Sequence, residues 1–134
     1  MNDDIISPQE LRFRNELNQI LPNAYDRIDD IESFPESIGT EILAFFVGYA
    51  CHPQNWPLIE LARNKIKTIP SKWLLKHLPE VARTTICFED DWEYRRLLEL
   101  ISEAAPILLN WGIEQGVNST NEEVREAAED FMGQ

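Results

Sequence analysis

Apolar residues recur along this chain at intervals of three and four, the spacing that gathers side chains on one face of an α-helix. The intervals predict helices over residues 7–21, 37–50, 55–67, 73–83, 90–103, 104–116 and 121–132. Residues 37–50 are almost all apolar, which is typical of a helix that is buried on most sides. Residues 23–35 are acidic and irregular, and we expect one turn there, around residues 25–31.

Capping and helix-breaking residues mark the ends of these segments. Side-chain oxygens of Ser, Asn and Asp accept hydrogen bonds from the unpaired N–H groups at a helix start. Residues of this kind stand at Ser7, Asn55, Ser71, Asp90 or Asp91, and within residues 120–123. Pro79 lies inside the fourth segment and predicts a kink or a split near residues 77–78. Gly116 suits a C-terminal cap for the sixth segment.

The segments also repeat. The caps at Asn55, Asp91 and Asn121 are 36 and 30 residues apart, and each opens the second helix of a pair. This spacing predicts three helical hairpins over residues 37–67, 71–103 and 104–132. A capping helix and an acidic linker would precede them in residues 1–36. Residues 1–134 are therefore predicted to form a single all-α domain, with a closed irregular helical bundle as the alternative.

One of the second helices carries a family resemblance. Residues 121–128, NEEVREAA, resemble the second helix of a HEAT repeat, which opens with Asp or Asn and continues with Val-Arg and two small residues. Residues 91–98, DWEYRRLL, fit the same frame with Arg95 at the position of Arg125. Residues 55–62, NWPLIELA, keep the Asn and an Ala but have Ile59 at that position.

The resemblance covers residues 37–132 and implies a right-handed stack of about three HEAT-like hairpins. HEAT-like domains usually act as binding scaffolds and use the face that is lined by their second helices. A minority are enzymes, among them a bacterial DNA-glycosylase class and cyanobacterial pigment-attaching proteins. No catalytic residue of those enzymes is carried over to this chain.

The net charge of −12 is unevenly distributed. Residues 1–41 hold 10 acidic and 3 basic residues, residues 42–88 hold 2 and 6, and residues 89–134 hold 12 and 3. Such a field repels nucleic acid and anionic membranes and attracts cationic partners. The basic middle either neutralises acidic neighbours within the fold or forms a local anion patch.

Other features of the sequence indicate where in the cell the chain is located. Its longest apolar run, residues 42–51, has 10 residues, whereas a membrane-spanning helix needs about 20. The acidic start at residues 1–4 does not match a secretory signal. Cys51 and Cys87 lack a CxxC spacing, and we expect free thiols in a reducing compartment. Together these features predict a cytoplasmic protein that does not enter a membrane.

Residues that carry chemistry are few and scattered. Cys51, His52, His77 and Cys87 match no zinc-ligand spacing. A cysteine that stands next to a histidine on one helix points about 100° away from it, which disfavours a nucleophile and its base. We therefore predict no catalytic residue, no cofactor and no metal site.

The candidate interaction residues follow the starts of second helices. Trp56 and Trp92 occupy the same register just after a cap, and tryptophan is enriched among the residues that dominate binding energy. The acidic cluster at residues 89–91 is explained by helix capping and also suits the docking of a basic partner. The full set of candidates is Trp56, Glu89, Asp90, Asp91, Trp92, Arg95, Arg96 and Arg125.

These observations predict a small acidic protein-protein interaction module, of the inhibitor or immunity type, that binds a partner with a basic surface. One alternative is an enzyme or small-ligand-binding domain with a pocket near His52, Trp56, Trp92 and Arg96. The other is nucleic-acid binding through residues 63–83, against which the overall negative charge argues.

Overall fold

The computed structural model describes residues 6–52 and 54–133 of the chain. That part of the chain contains α-helices and three short 3-10 segments, and no strand. The helices are α1 (Pro8–Ile20), α2 (Glu36–Cys51), α3 (Trp56–Lys67), α4 (Ser71–Thr85), α5 (Asp91–Ala104), α6 (Leu109–Glu114) and α7 (Glu122–Phe131). The 3-10 segments are Ala24–Asp26, Ile28–Ser33 and Pro106–Leu108. The all-α prediction is confirmed.

One expectation, the acidic start at residues 1–4, lies outside the described part of the chain. Among the helices that are described, none combines the length and the apolarity needed to cross a bilayer.

Side-chain caps begin four of the helices. In each case a side-chain oxygen accepts a backbone N–H of the first turn, which otherwise lacks a partner within the helix. The distances are 3.1 Å from Ser7 to Glu10, 3.3 Å from Asn55 to Leu58, 3.0 Å from Asp90 to Glu93 and 2.9 Å from Asn121 to Glu123. These four predicted caps are confirmed, and Asp90 rather than Asp91 is the cap of α5.

Helix α4 departs from the prediction at its cap, and of the two outcomes predicted for Pro79 it excludes the split. Ser71 is its first residue and makes no capping hydrogen bond, because Pro70 occupies the cap position. Pro79 does not split the helix, which continues from Ser71 to Thr85. Leu78, Val81 and Ala82 around the proline are buried in the core. Their packing outweighs the cost of about 3 kcal/mol for proline in a helix interior.

Gly116 is not a left-handed C-terminal cap. Helix α6 ends at Glu114, Gln115 is its cap in a right-handed conformation, and none of the described glycines has a positive φ. A Cβ at Gly116 would instead lie 2.5 Å from the ring of Tyr94. Tyr94 is fully buried, and its hydroxyl donates a hydrogen bond of 2.6 Å to the carbonyl of Gly112. Gly116 is needed for this close approach.

Helix α2 lies at the centre of the larger core and packs against α1, α3, α4 and α5. Its side chains Ile42, Leu43, Phe46 and Val47 are completely buried. The ring of Phe13 on α1 stacks on Phe46 at 5.9 Å between centroids. The nearly all-apolar sequence of α2 therefore supplies the centre of the fold, as its composition predicts.

A smaller core lies between α5 and α7. Val124, Ala127, Ala128 and Phe131 of α7 are buried there, as their helical spacing predicts. Leu98 of α5 belongs to the same cluster, whereas the neighbouring Leu97 points into the larger core. Helix α5 thus joins the two cores.

The second helices of the three predicted hairpins lie side by side, with α3 against α5 and α5 against α7. Within the first and third predicted hairpins, α2 packs on α3 and α6 packs on α7. Helix α4 packs on α2 instead of α5, so the prediction of a packed hairpin over residues 71–103 is wrong. We refer to the surface formed by the second helices as the α3/α5/α7 face.

Candidate functional site

All eight candidate residues lie on the α3/α5/α7 face or on the turn that leads into α5. They fall into two groups. The tryptophan–arginine cluster consists of Trp56, Arg63, Trp92, Arg96 and Glu99. The acidic end consists of Glu89, Asp90, Asp91, Glu122 and Glu123, where α5 and α7 begin.

Arg96 joins the two tryptophans. Its guanidinium carbon lies 4.8 Å from the centre of the Trp56 ring and 4.1 Å from that of Trp92. Both distances are within the range of an attractive cation–π contact. Trp56 is 50% exposed and Trp92 is 36% exposed. The contact therefore orders two large rings that remain open to the surface.

Arg63 forms the buried base of the cluster and was not among the predicted candidates. It is only 5% exposed, and its guanidinium lies 5.3 Å from the centre of the Trp56 ring. It donates hydrogen bonds of 2.6 Å to Glu99 and 2.9 Å to Glu103. The signal in the sequence is its register, because Arg63 falls between Ile59 and Ile66 on the buried side of α3.

Glu99 is the common acceptor for both arginines of the cluster. It receives Arg63 at 2.6 Å and Arg96 at 2.7 Å. The Nε atoms of Arg63 and Arg96 are buried and have no hydrogen-bond partner among the described residues. An unpaired buried charge lowers the free energy of unfolding. By pairing with both guanidinium groups, Glu99 offsets that cost.

The acidic end is held together by hydrogen bonds between two turns. Glu89 accepts the hydroxyl of Ser119 at 2.6 Å through its carboxylate and the side-chain amide of Asn121 at 3.0 Å through its carbonyl. Arg125 donates to the carbonyl of Ser119 at 2.8 Å. These bonds place the start of α7 beside the start of α5.

The side chains at the acidic end leave a local excess of negative charge. Asp91, Glu122 and Glu123 lie in first helical turns, where the helix dipole favours carboxylates. Among the described residues these three make no ion pair within 4.0 Å. Arg95 is already paired with Asp130 at 3.0 Å, and Arg125 is engaged by the Ser119 carbonyl.

His52 lies apart from the cluster. Its Nε2 is 3.2 Å from the carboxylate of Glu93, which also accepts the backbone N–H of Cys87 at 2.8 Å. It lines a cleft of about 520 Å³ together with Glu16, Tyr49 and Thr85. Trp56, Trp92 and Arg96, which were grouped with His52 in the pocket alternative, do not line this cleft.

The two cysteines occupy different environments. Cys51 is buried in the core, and this burial raises the pKa of its thiol to about 12. Cys87 is exposed. Within residues 6–52 and 54–133, no group of three or more His, Cys, Asp or Glu side chains is placed to hold a metal ion.

The basic residues of the middle segment turn towards different neighbours. Lys65 donates to the carbonyl of Tyr25 at 2.8 Å, and Lys67 lies 3.3 Å from Glu103. Lys76 lies 4.0 Å from Glu36, on another part of the surface. Arg63, Lys67 and Lys76 thus lie beside carboxylates, whereas Lys65 contacts a neutral carbonyl.

Comparison with protein-family models, with curated proteins and with solved structures finds no match for this chain. Function must therefore be inferred from the contacts, charges and exposed groups of the chain itself.

Proposed function

We propose that this chain is a small acidic protein-binding module whose α3/α5/α7 face binds a protein with a basic surface, as an inhibitor or immunity-type protein does. One observation carries the proposal: two exposed tryptophans, ordered by the partly buried Arg96, border an end of the molecule that is rich in unpaired carboxylates.

The tryptophans supply the anchoring part of this surface. Interface residues that cost 2 kcal/mol or more on truncation are enriched in tryptophan and lie among less important contacts. Because Arg96 already orders Trp56 and Trp92, less side-chain freedom is lost when a partner binds. The rings are therefore suited to contact a partner without rearrangement.

The acidic end supplies the charge that selects the partner. Unpaired carboxylates at Asp91, Glu122 and Glu123 attract a basic surface and raise the rate of encounter. Arg95 is neutralised by Asp130, and the one positive charge of Arg125 is outnumbered by these carboxylates. Association is expected to weaken as salt screens the charges.

The proposal includes a HEAT-like stack of hairpins. The side-by-side packing of α3, α5 and α7 and the NEEVREAA sequence at the start of α7 support it. In such a stack the second helices form one continuous surface, and the tryptophan–arginine cluster and the acidic end both belong to it.

Affinity capture from an extract of the host cell tests this function, with the captured protein identified and then titrated by calorimetry. We expect a basic protein whose affinity falls steeply between about 50 and about 300 mM NaCl. Inhibition of an activity of that protein would support the inhibitor role.

Matched variants then locate the binding surface. Trp92→Ala is expected to weaken binding by about thirtyfold, the equivalent of about 2 kcal/mol. Glu122→Gln with Glu123→Gln should mainly slow association. The proposal would be refuted by a captured protein whose affinity changes neither with salt, nor with the two acidic substitutions, nor with Trp92→Ala.

A further inference from the structure

A groove runs between α2 and α4, away from the α3/α5/α7 face. It consists of two clefts of about 520 Å³ and about 300 Å³ that adjoin at Ala44. Helix α2 lines it from Ser37 to His52 at intervals of three and four, which is one complete face of the helix. A rise of 1.5 Å per residue makes the groove about 22 Å long.

The α2 side of this groove is apolar but not fully covered. Ala44, Phe45 and Tyr49 are only partly buried, whereas Phe46 and Val47 on the other side of the same helix are completely buried. Helix α2 therefore has one face in the core and a second apolar face that the described residues leave partly open.

Gly48 lies at the centre of the larger cleft and is not required there by internal packing. Among the described residues, a Cβ at Gly48 would meet only the His52 ring, at 3.7 Å, which is an ordinary contact. At Gly112 a Cβ would come within 3.0 Å of Leu98, and at Gly116 within 2.5 Å of Tyr94. Glycine is among the least favourable residues in a helix interior. At Gly48 its absent side chain leaves room for atoms from outside the chain.

The carboxylates of the groove give it negative charge. Glu16, Glu41 and Glu80 line it, and none of the described lining residues is a lysine or an arginine. At the rim, Arg83 is paired with Glu80 at 3.5 Å and Lys76 with Glu36 at 4.0 Å. Glu41 is exposed and makes no ion pair among the described residues. An apolar floor with acidic walls is complementary to an apolar face with basic flanks.

We infer that the groove between α2 and α4 binds an amphipathic helix of a partner protein, with apolar side chains over Ala44 and Gly48 and lysine or arginine beside Glu16 and Glu41. A helix that lies in an apolar groove is a common mode of peptide recognition. The groove and the α3/α5/α7 face are formed by different helices, so this inference does not rest on the proposed function.

The probe for this inference is a fluorescein-labelled peptide of about 16 residues, the length that matches the groove. It has leucine on one helical face and lysine on the other. Its matched control has glutamate in place of lysine. We expect fluorescence anisotropy to show binding of the leucine–lysine peptide that is at least about tenfold tighter than that of the control.

Substitutions in the groove separate specific docking from general attraction to an acidic protein. Gly48→Leu fills the cleft and should weaken the leucine–lysine peptide by about tenfold. Gly48→Ala adds one methyl group and serves as its size control, with a smaller loss. Trp92→Ala changes the other face and should leave peptide affinity unchanged. Amide shifts of the isotope-labelled chain should cluster at α2 and α4.

A second variant keeps the test decisive if Gly48→Leu does not fold, as judged by circular dichroism. Glu41→Lys reverses an exposed charge and should weaken the peptide by about fivefold. The inference is overturned if the amide shifts map to α5 and α7. It is also overturned if neither Gly48→Leu nor Glu41→Lys changes the peptide affinity. It is also overturned if sedimentation shows a dimer that Gly48→Leu abolishes, since the occupant would then be a second copy.

Discussion

The α3/α5/α7 face and the α2/α4 groove differ in what lies between their helices. On the face, the space between α3 and α5 is filled by Arg63 and Arg96. Both arginines pair with the carboxylate of Glu99 and contact the ring of Trp56. In the groove, the space between α2 and α4 is left partly empty above Ala44 and Gly48.

The difference bears on how each surface meets a partner. The face presents side chains that are already ordered by contacts within the chain, so its specificity depends on charge and on fixed rings. The groove offers room, so its specificity depends on the shape of the side chains that enter. The following predictions test whether the charged contacts make the face rigid, and whether the groove contains unoccupied space.

The largest effect is expected at Glu99. Glu99→Gln removes the carboxylate charge shared by Arg63 and Arg96 and should lower the free energy of unfolding by about 3 kcal/mol. Glu103→Gln changes the net charge equally, but Glu103 is more exposed and Arg63 keeps Glu99. This control should cost less than about 1 kcal/mol. Urea unfolding followed by tryptophan fluorescence measures both, and equal losses would contradict the role given to Glu99.

The next largest effect is expected at alkaline pH, where one buried group of each core ionises. Burial raises the pKa of Cys51 on α2 from 9.0 to about 12, and that of Tyr94 on α5 from 10.0 to about 12. Both groups are neutral in the folded chain and ionise more easily in the unfolded chain. Their contribution to stability is therefore intact below pH 9 and is lost as the pH rises towards 12.

Each group should lower stability by about 1.4 kcal/mol per pH unit above its unfolded pKa, or about 2 to 3 kcal/mol for Cys51 by pH 11. Urea midpoints measured from pH 8 to pH 11 test this. Cys51→Ala should remove the part of the loss that begins near pH 9, and Tyr94→Phe the part that begins near pH 10. An alkaline slope that neither variant changes would disprove the assignment.

The helices of the face were predictable from the sequence, because apolar spacing and most caps are local patterns. Trp56 directly follows its cap Asn55, whereas Trp92 lies two residues after its cap Asp90, so the equal register predicted for the two tryptophans is wrong by one residue. The pairing of Arg95 with Asp130 and the sharing of Glu99 depend on distances between helices, which the sequence does not contain. Arg63 was missed although its register on the buried side of α3 is a signal in the sequence.

The groove was not predictable, because it is formed by an absent side chain and by the relative position of two helices. The apolar sequence of α2 predicted burial on most sides, and nothing in it identified which face α4 would leave open. The continuity of α4 through Pro79 also depends on core packing, which overrides the local cost of proline. Local rules therefore identified the helices and most of their caps, and left the spaces between them undetermined.

A steric comparison of two glycines gives the next prediction. Gly116→Ala would place a Cβ 2.5 Å from the ring of Tyr94, which is fully buried and hydrogen-bonded to Gly112. The ring cannot withdraw without breaking that bond, so we expect a loss of about 2 kcal/mol in thermal or urea unfolding. The double variant with Tyr94→Phe tests the cause. It should remain destabilised, because the ring itself is the obstacle.

The smallest effect, and the one of opposite sign, is expected at Gly48. Gly48→Ala places a methyl group 3.7 Å from the His52 ring. Among the described residues this methyl group makes no closer contact, so no packing cost arises. Alanine is favoured over glycine in a helix interior by about 1 kcal/mol, and the variant should be more stable by about that amount. Matched urea titrations of Gly48→Ala and Gly116→Ala should thus shift in opposite directions. A loss of stability at Gly48 would mean that the groove is already closed against a neighbour, and its space would not be available to a partner helix.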